Sequence, residues 1–167
     1  MLTTIAAIAL LQVPAAQAPA TGDTCEVYLV DVQAASAAQQ ALERGASEDE
    51  LRRLAAKAET ALGTFTTTVG EEQLTTRAFA LADRRHVTVT VFYTDESMAS
   101  AGRRDSVQVA LSVASAPAED ARAVGGNAFA EVPYDSHAFK VRVKQYVTLS
   151  GREHLLGVEC GSLRTPR

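Results

Sequence analysis

A chain of 167 residues, 47% hydrophobic and 22% charged, is long enough to bury one core and has the composition of a folded domain, which excludes disorder as its default state. Its formal net charge of -4 supplies no global basic field, so neither nucleic acid nor an anionic membrane surface would be drawn to it by charge alone.

The first 20 residues carry no charged side chain. Ile5 to Leu11 is an apolar run too short for a bilayer, which needs about 20 residues, and small residues follow it at Ala15, Ala16, Ala18 and Ala20. Residues 1–20 are therefore expected to be a signal peptide, although its n-region has no Lys or Arg. Cleavage sites compete after Ala18 and Ala20. Pro19 directly after the first scissile bond favours Ala20, leaving 21–167 as a single exported domain, periplasmic or extracellular, with no transmembrane segment. Gly22-Asp23-Thr24 lacks the pattern that precedes a lipidated cysteine.

Cys25 and Cys160 are the two cysteines, placed near opposite ends of the mature chain, and in an oxidising compartment they are expected to pair. Glu26 to Val32 is a β-branched and aromatic run, apolar on both alternating faces apart from Asp31, which predicts a first strand inside a sheet. Capping boxes at Ser36 with Gln39 and Ser47 with Glu50 predict helices over 37–44 and 48–62, closed by Gly45 and Gly63.

From Thr64 the apolar period becomes two, predicting strands near 64–69, 73–81, 86–94, 105–114, 127–132, 138–149 and 152–160. Turns are expected at Gly70, Asp83-Arg84-Arg85 and Ser150-Gly151. The arginine-bearing loop at 83–85 would pair Leu81 with Val87 and Phe79 with Val89. A Ser150-Gly151 turn would set Val143 against Val158, Gln145 against Leu156, Arg142 against Glu159 and Thr148 against Glu153. Ala114 to Asn127 is expected to be a surface loop.

The predicted fold is α+β: an N-terminal strand and two helices, then a long antiparallel β-meander of about seven strands with a helix packed on the sheet. This order is similar to the topology of the helix-grip fold, which ends in a long helix where this sequence has a short tail after Cys160. The likeness is one of topology and brings no motif.

Signatures for nucleotide binding, zinc proteolysis, thioredoxin chemistry and α/β-hydrolase chemistry are absent from the sequence. His86, His137 and His154 are too dispersed for a local metal pair, so no catalytic residue, metal ligand or cofactor is assigned. Pro133 to His137 gathers a hydroxyl, a carboxylate and an imidazole, but neighbours in sequence seldom converge as a triad, and a polar turn accounts for them. Thr94 to Arg104 is a long connection carrying Met98, Arg103 and Arg104, where binding residues often sit on a rigid sheet.

Lys140, Arg142 and Lys144 alternate along one strand, with Tyr146 continuing their face, and with Arg103 and Arg104 they are the candidate residues for an acidic partner or anionic ligand. Solvated lysines guarding a strand edge would leave the same pattern. The function expected first is an exported, non-catalytic binding or interaction module for a protein, an envelope component or a small molecule. A small hydrolase or isomerase with a helix-sheet pocket using His137 or His154, and a structural cell-envelope protein, are the alternatives.

Overall fold

The structure is a computed structural model that describes residues 23–67, 74–94, 106–124, 128–133 and 140–162. The signal segment 1–20, the turn at Gly70, residues 134–137, Met98 and the pair Arg103-Arg104 lie outside the described residues.

Strand β1 (Asp23–Asp31) runs directly into helix α1 (Val32–Glu43), and α2 (Glu48–Ala58) runs directly into β2 (Glu59–Thr67). There follow β3 (Leu74–Ala80), β4 (His86–Thr94), β5 (Ser106–Ala114), β6 (Ala128–Pro133), β7 (Lys140–Leu149) and β8 (Arg152–Ser162). The strands form two antiparallel four-stranded sheets, one ordered β2-β1-β8-β7 and the other β3-β4-β5-β6. The expected single meander is therefore split. Its members neighbour one another around a shared core, with β6 beside β7 and β2 beside β3.

That core is aliphatic, with Val27, Val143, Leu156 and Val158 from the first sheet meeting Val87, Val89, Val109 and Leu111 from the second. Each such side chain, withdrawn from water, contributes about 1.5–3 kcal/mol. Neither helix contributes to this aliphatic cluster, which the second sheet covers; Ala38, Ala41 and Ala58 are buried outside it, with α1 against β1 and β8. The likeness to the helix-grip topology ends with the order of the elements. Buried Thr67 and Thr75 join the sheets from within through hydroxyls 2.8 Å apart.

The first helix begins earlier than its Ser36 capping box implied. Asp31 is the N-cap, accepting from the Ala34 amide at 2.9 Å, and this bond above all holds its carboxyl below the usual range. Ser47 caps α2 as expected, accepting from Glu50 N at 3.3 Å. That helix stops at Ala58, not 62, because Glu59 to Thr67 pair with β1 as a strand. Gly63 is consequently no helix cap. It sits opposite Val27, and a Cβ there would stand 2.8 Å from the Phe79 ring.

At the β3–β4 connection the register moves by two: Phe79, not Leu81, faces Val87. The loop closes one residue earlier than expected because Arg84 takes the left-handed conformation at φ 70° and Leu81 N donates to Arg85 O at 2.7 Å. Asp83 reinforces the bend by accepting from Arg85 N and Nε, while Arg85 Nη2 reaches the Thr148 carbonyl of β7 at 2.6 Å. An even shift leaves Phe79, Val87 and Val89 on the core face. The β7–β8 hairpin has the expected register throughout, turning at Ser150 and Gly151 with φ 50° and 78°.

Residues 114–124 are more than a surface loop. Ala118 and Ala121 donate their amides to Thr88 and Thr90 on the outer face of the second sheet, Ala121 is 0% exposed, and Arg122 stacks 4.2 Å from the Phe92 ring centroid. Both faces of β4 and β5 are thereby covered.

Cys25 faces Cys160 across the β1–β8 ladder, their Cα atoms 4.1 Å apart and their sulfurs bonded. The bridge spans 135 residues and is buried in the core. Cys25→Ser should lower stability by roughly 2–5 kcal/mol, read from denaturant midpoints of oxidised wild type and variant. Equal midpoints would show that the ladder alone holds the chain ends.

Candidate functional site

Alternation along the strands divides the first sheet into a core face and an outer face. The hairpin register puts Lys140, Arg142, Lys144, Tyr146 and Thr148 of β7 outward, beside Glu159, Gly157, Leu155 and Glu153 of β8. From β1, Glu26 stands next to Glu159, Tyr28 next to Gly157 and Val30 next to Leu155. The four candidate residues of β7 therefore share one exposed face, with Tyr146 56% exposed. Arg103 and Arg104 lie outside the described residues.

The basic row is not an open cationic strip. Glu159, half-buried between strands, takes Lys140 Nζ on one oxygen at 2.5 Å and Arg142 Nε on the other at 2.7 Å, with Arg142 Nη2 also on the second. Burial opposes ionisation of Glu159, but the hydrogen bonds from Lys140 and Arg142 outweigh it and hold the carboxyl below its ordinary value. Two of the three cations of the β7 row are thus engaged within the protein.

Next along the sheet, Gly157 is a gap in the side-chain layer. A Cβ there would meet Tyr28 Cζ at 2.5 Å and the hydroxyl at 2.7 Å, so the Tyr28 ring lies across the backbone of β8 toward Lys144. Partial burial raises the Tyr28 phenol pKa, with the nearby Arg142 acting against it. Beyond Tyr28, partial burial and then the charge of Glu26 raise the Glu59 carboxyl.

At the α1 end of this sheet a cleft of about 580 Å³ opens between helix and hairpin. Gln33, Ser36 and Gln40 line it from α1, and Gly151, Arg152 and Glu153 from β8 and its turn. Arg152 Nη1 also lies 3.7 Å from the Asp31 carboxylate. Among the described residues no histidine lines the cleft: His154 Nδ1 is 3.2 Å from the Arg152 carbonyl and His86 belongs to the other sheet, while His137 lies outside the described residues. Among the described residues no group of three or more His, Cys, Asp and Glu is placed to hold a metal ion, and no helix is long and apolar enough to cross a membrane.

Tyr28 and the glutamine-bearing face of α1 are the parts of this surface that the sequence reading passed over. Their signals were a glycine inside an otherwise continuous strand, which marks a close approach, and Gln33, Ser36 and Gln40 spaced along one helical face.

Comparisons with family models, curated proteins and solved structures find no match.

Because the folded pKa of Glu159 is depressed, its contribution to stability is present above the unfolded value near 4.5 and is lost as pH falls through the folded one. Thermal midpoints of wild type and Glu159→Gln, followed from about pH 6 to 3, should therefore converge with acidification. Parallel profiles would show that the Lys140 and Arg142 contacts do not stabilise the fold.

Proposed function

We propose that this chain is an exported, non-catalytic binding module that engages its target with the outer face of the first sheet. The observation that carries the proposal is the contrast between the two sheets. In the second, residues 115–124 of the same chain cover the outer face of the central strands, leaving Leu74 and Phe129 exposed on the two edge strands. In the first, the outer face presents exposed Lys144 and Tyr146 beside the flattened Tyr28 ring.

Two further features support a binding role over catalysis. The space between the sheets is filled by aliphatic side chains, and the cleft beside α1 joins a carboxylate, Glu153, and a guanidinium, Arg152, to amides and a hydroxyl, with no imidazole among the described residues that line it. Export is supported by the buried Cys25–Cys160 disulfide, a bond favoured in oxidising compartments, together with the apolar segment and A-x-A sites of residues 1–20.

Two measurements test the proposal separately. N-terminal sequencing of the protein from its native host should find Thr21, whereas an intact Met1 in the cytoplasm would refute export. For the surface, a target captured from envelope extract by wild-type protein should be lost with Lys144→Glu/Tyr146→Ala, while the melting temperature stays within a few degrees because both side chains are exposed. Undiminished capture by that variant would move the binding site off this face.

A further inference from the structure

Resting on the binding role proposed above, we propose that the target is an uncharged polysaccharide chain, lying along β8 from Gly157 to the cleft beside α1. Three independent observations favour this class of ligand over a polyanion.

The first is ring geometry. Tyr28 lies across Gly157, so its ring caps a flat step on the sheet, and Tyr146, one residue pair further along and two strands away, is the most exposed aromatic of the same face. Such rings offer planar apolar surface to the C–H faces of sugar rings while their hydroxyls stay within reach of water. Leu155 and Val30, partly exposed, fill the row between them with low apolar relief.

Charge is the second. Lys140 and Arg142 are neutralised by Glu159, and Lys144 shares the face with the carboxylates Glu26 and Glu59. Cations and anions interleave, so among the described residues this face has no net positive field that would concentrate a polyanion.

The third is the hydrogen-bonding character of the cleft. Glu153 is both the last outward residue of β8 and part of the cleft lining, so face and cleft are continuous. From Gly157 to Glu153 the outward residues span about 13 Å, the length of a short oligosaccharide. At the cleft end, Gln33, Ser36 and Gln40 each carry donor and acceptor atoms, as sugar hydroxyls do. The one guanidinium in the lining, Arg152, lies 3.7 Å from the Asp31 carboxylate and beside Glu153, so the lining has no uncompensated cation to select a carboxylate or phosphate ligand.

The test uses the oxidised mature chain on an array of hexose, pentose and N-acetylhexosamine oligosaccharides, neutral and acidic. Tyr146→Ala and Gln40→Ala serve as variants because both side chains are exposed and neither joins the core. Expected are signals on neutral chains that persist in high salt and fall roughly tenfold in each variant, with unchanged melting temperatures. Signals confined to sulfated or uronic-acid glycans and abolished by salt would overturn the assignment. So would a blank array, and the two failures then separate. A blank array with capture that still depends on Lys144 and Tyr146 overturns the polysaccharide alone, whereas loss of both overturns the binding face as well.

Discussion

Everything in the first sheet hangs on the antiparallel pairing of β1 with β8, the two ends of the described chain. β1 bonds β2 on one edge and β8 on the other, so removing the β1–β8 ladder would divide the sheet into two unrelated pairs. The contacts it makes are the most distant in sequence, with Cys25 and Cys160 separated by 135 residues. Loop-closure entropy makes such contacts slow to form, and the disulfide offsets that cost by about 5 kcal/mol in the chain-entropy account, whose mechanism is disputed. The same ladder aligns Asp31 with His154 at its far end, where β1 passes into α1 without a loop. Closure of the ring and placement of the helical cleft are thus one geometric event.

The two sheets share a core but treat solvent differently. On the second, the hydroxyls of Thr88 and Thr90 face outward and accept backbone amides of the chain that follows β5. On the first, the outward layer mixes aromatic rings, paired charges and a glycine gap. Exposed Tyr146 on the rim strand of the first sheet has a counterpart in exposed Phe129 on the rim strand of the second.

Much of the fold was legible because its rules are local. Alternation in Val87, Val89 and Val91 marked a core face, and Ser150-Gly151 defined a hairpin whose every pair holds. The cysteines announced that the first and last strands are neighbours. What escaped depends on information that no window contains. Asp31 outcompetes Ser36 as a helix cap because the strand before it fixes where the chain must turn. Residues 59–62 leave the helix because β1 offers them a ladder. Splitting the strands into two sheets is a packing decision: it gives the aliphatic face of each sheet the other as a cover, a role two alanine-rich helices were too small to fill. For the candidate site, the shared face of Lys140, Arg142, Lys144 and Tyr146 followed from alternation alone. The counter-charge from Glu159 was half visible in the predicted Arg142 pairing, but its grip on Lys140 as well, and the Tyr28 ring folded over Gly157, needed three strands side by side.

The reach of Arg85 to the Thr148 carbonyl has a meaning for colloidal behaviour. A strand at the rim of a sheet exposes backbone acceptors on which a strand from another molecule can grow. By sending a guanidinium, steadied by Asp83, from one sheet to the rim strand of the other, the protein occupies one such acceptor with a charged side chain. The contact doubles as a stopper against edge-to-edge strand addition at that position.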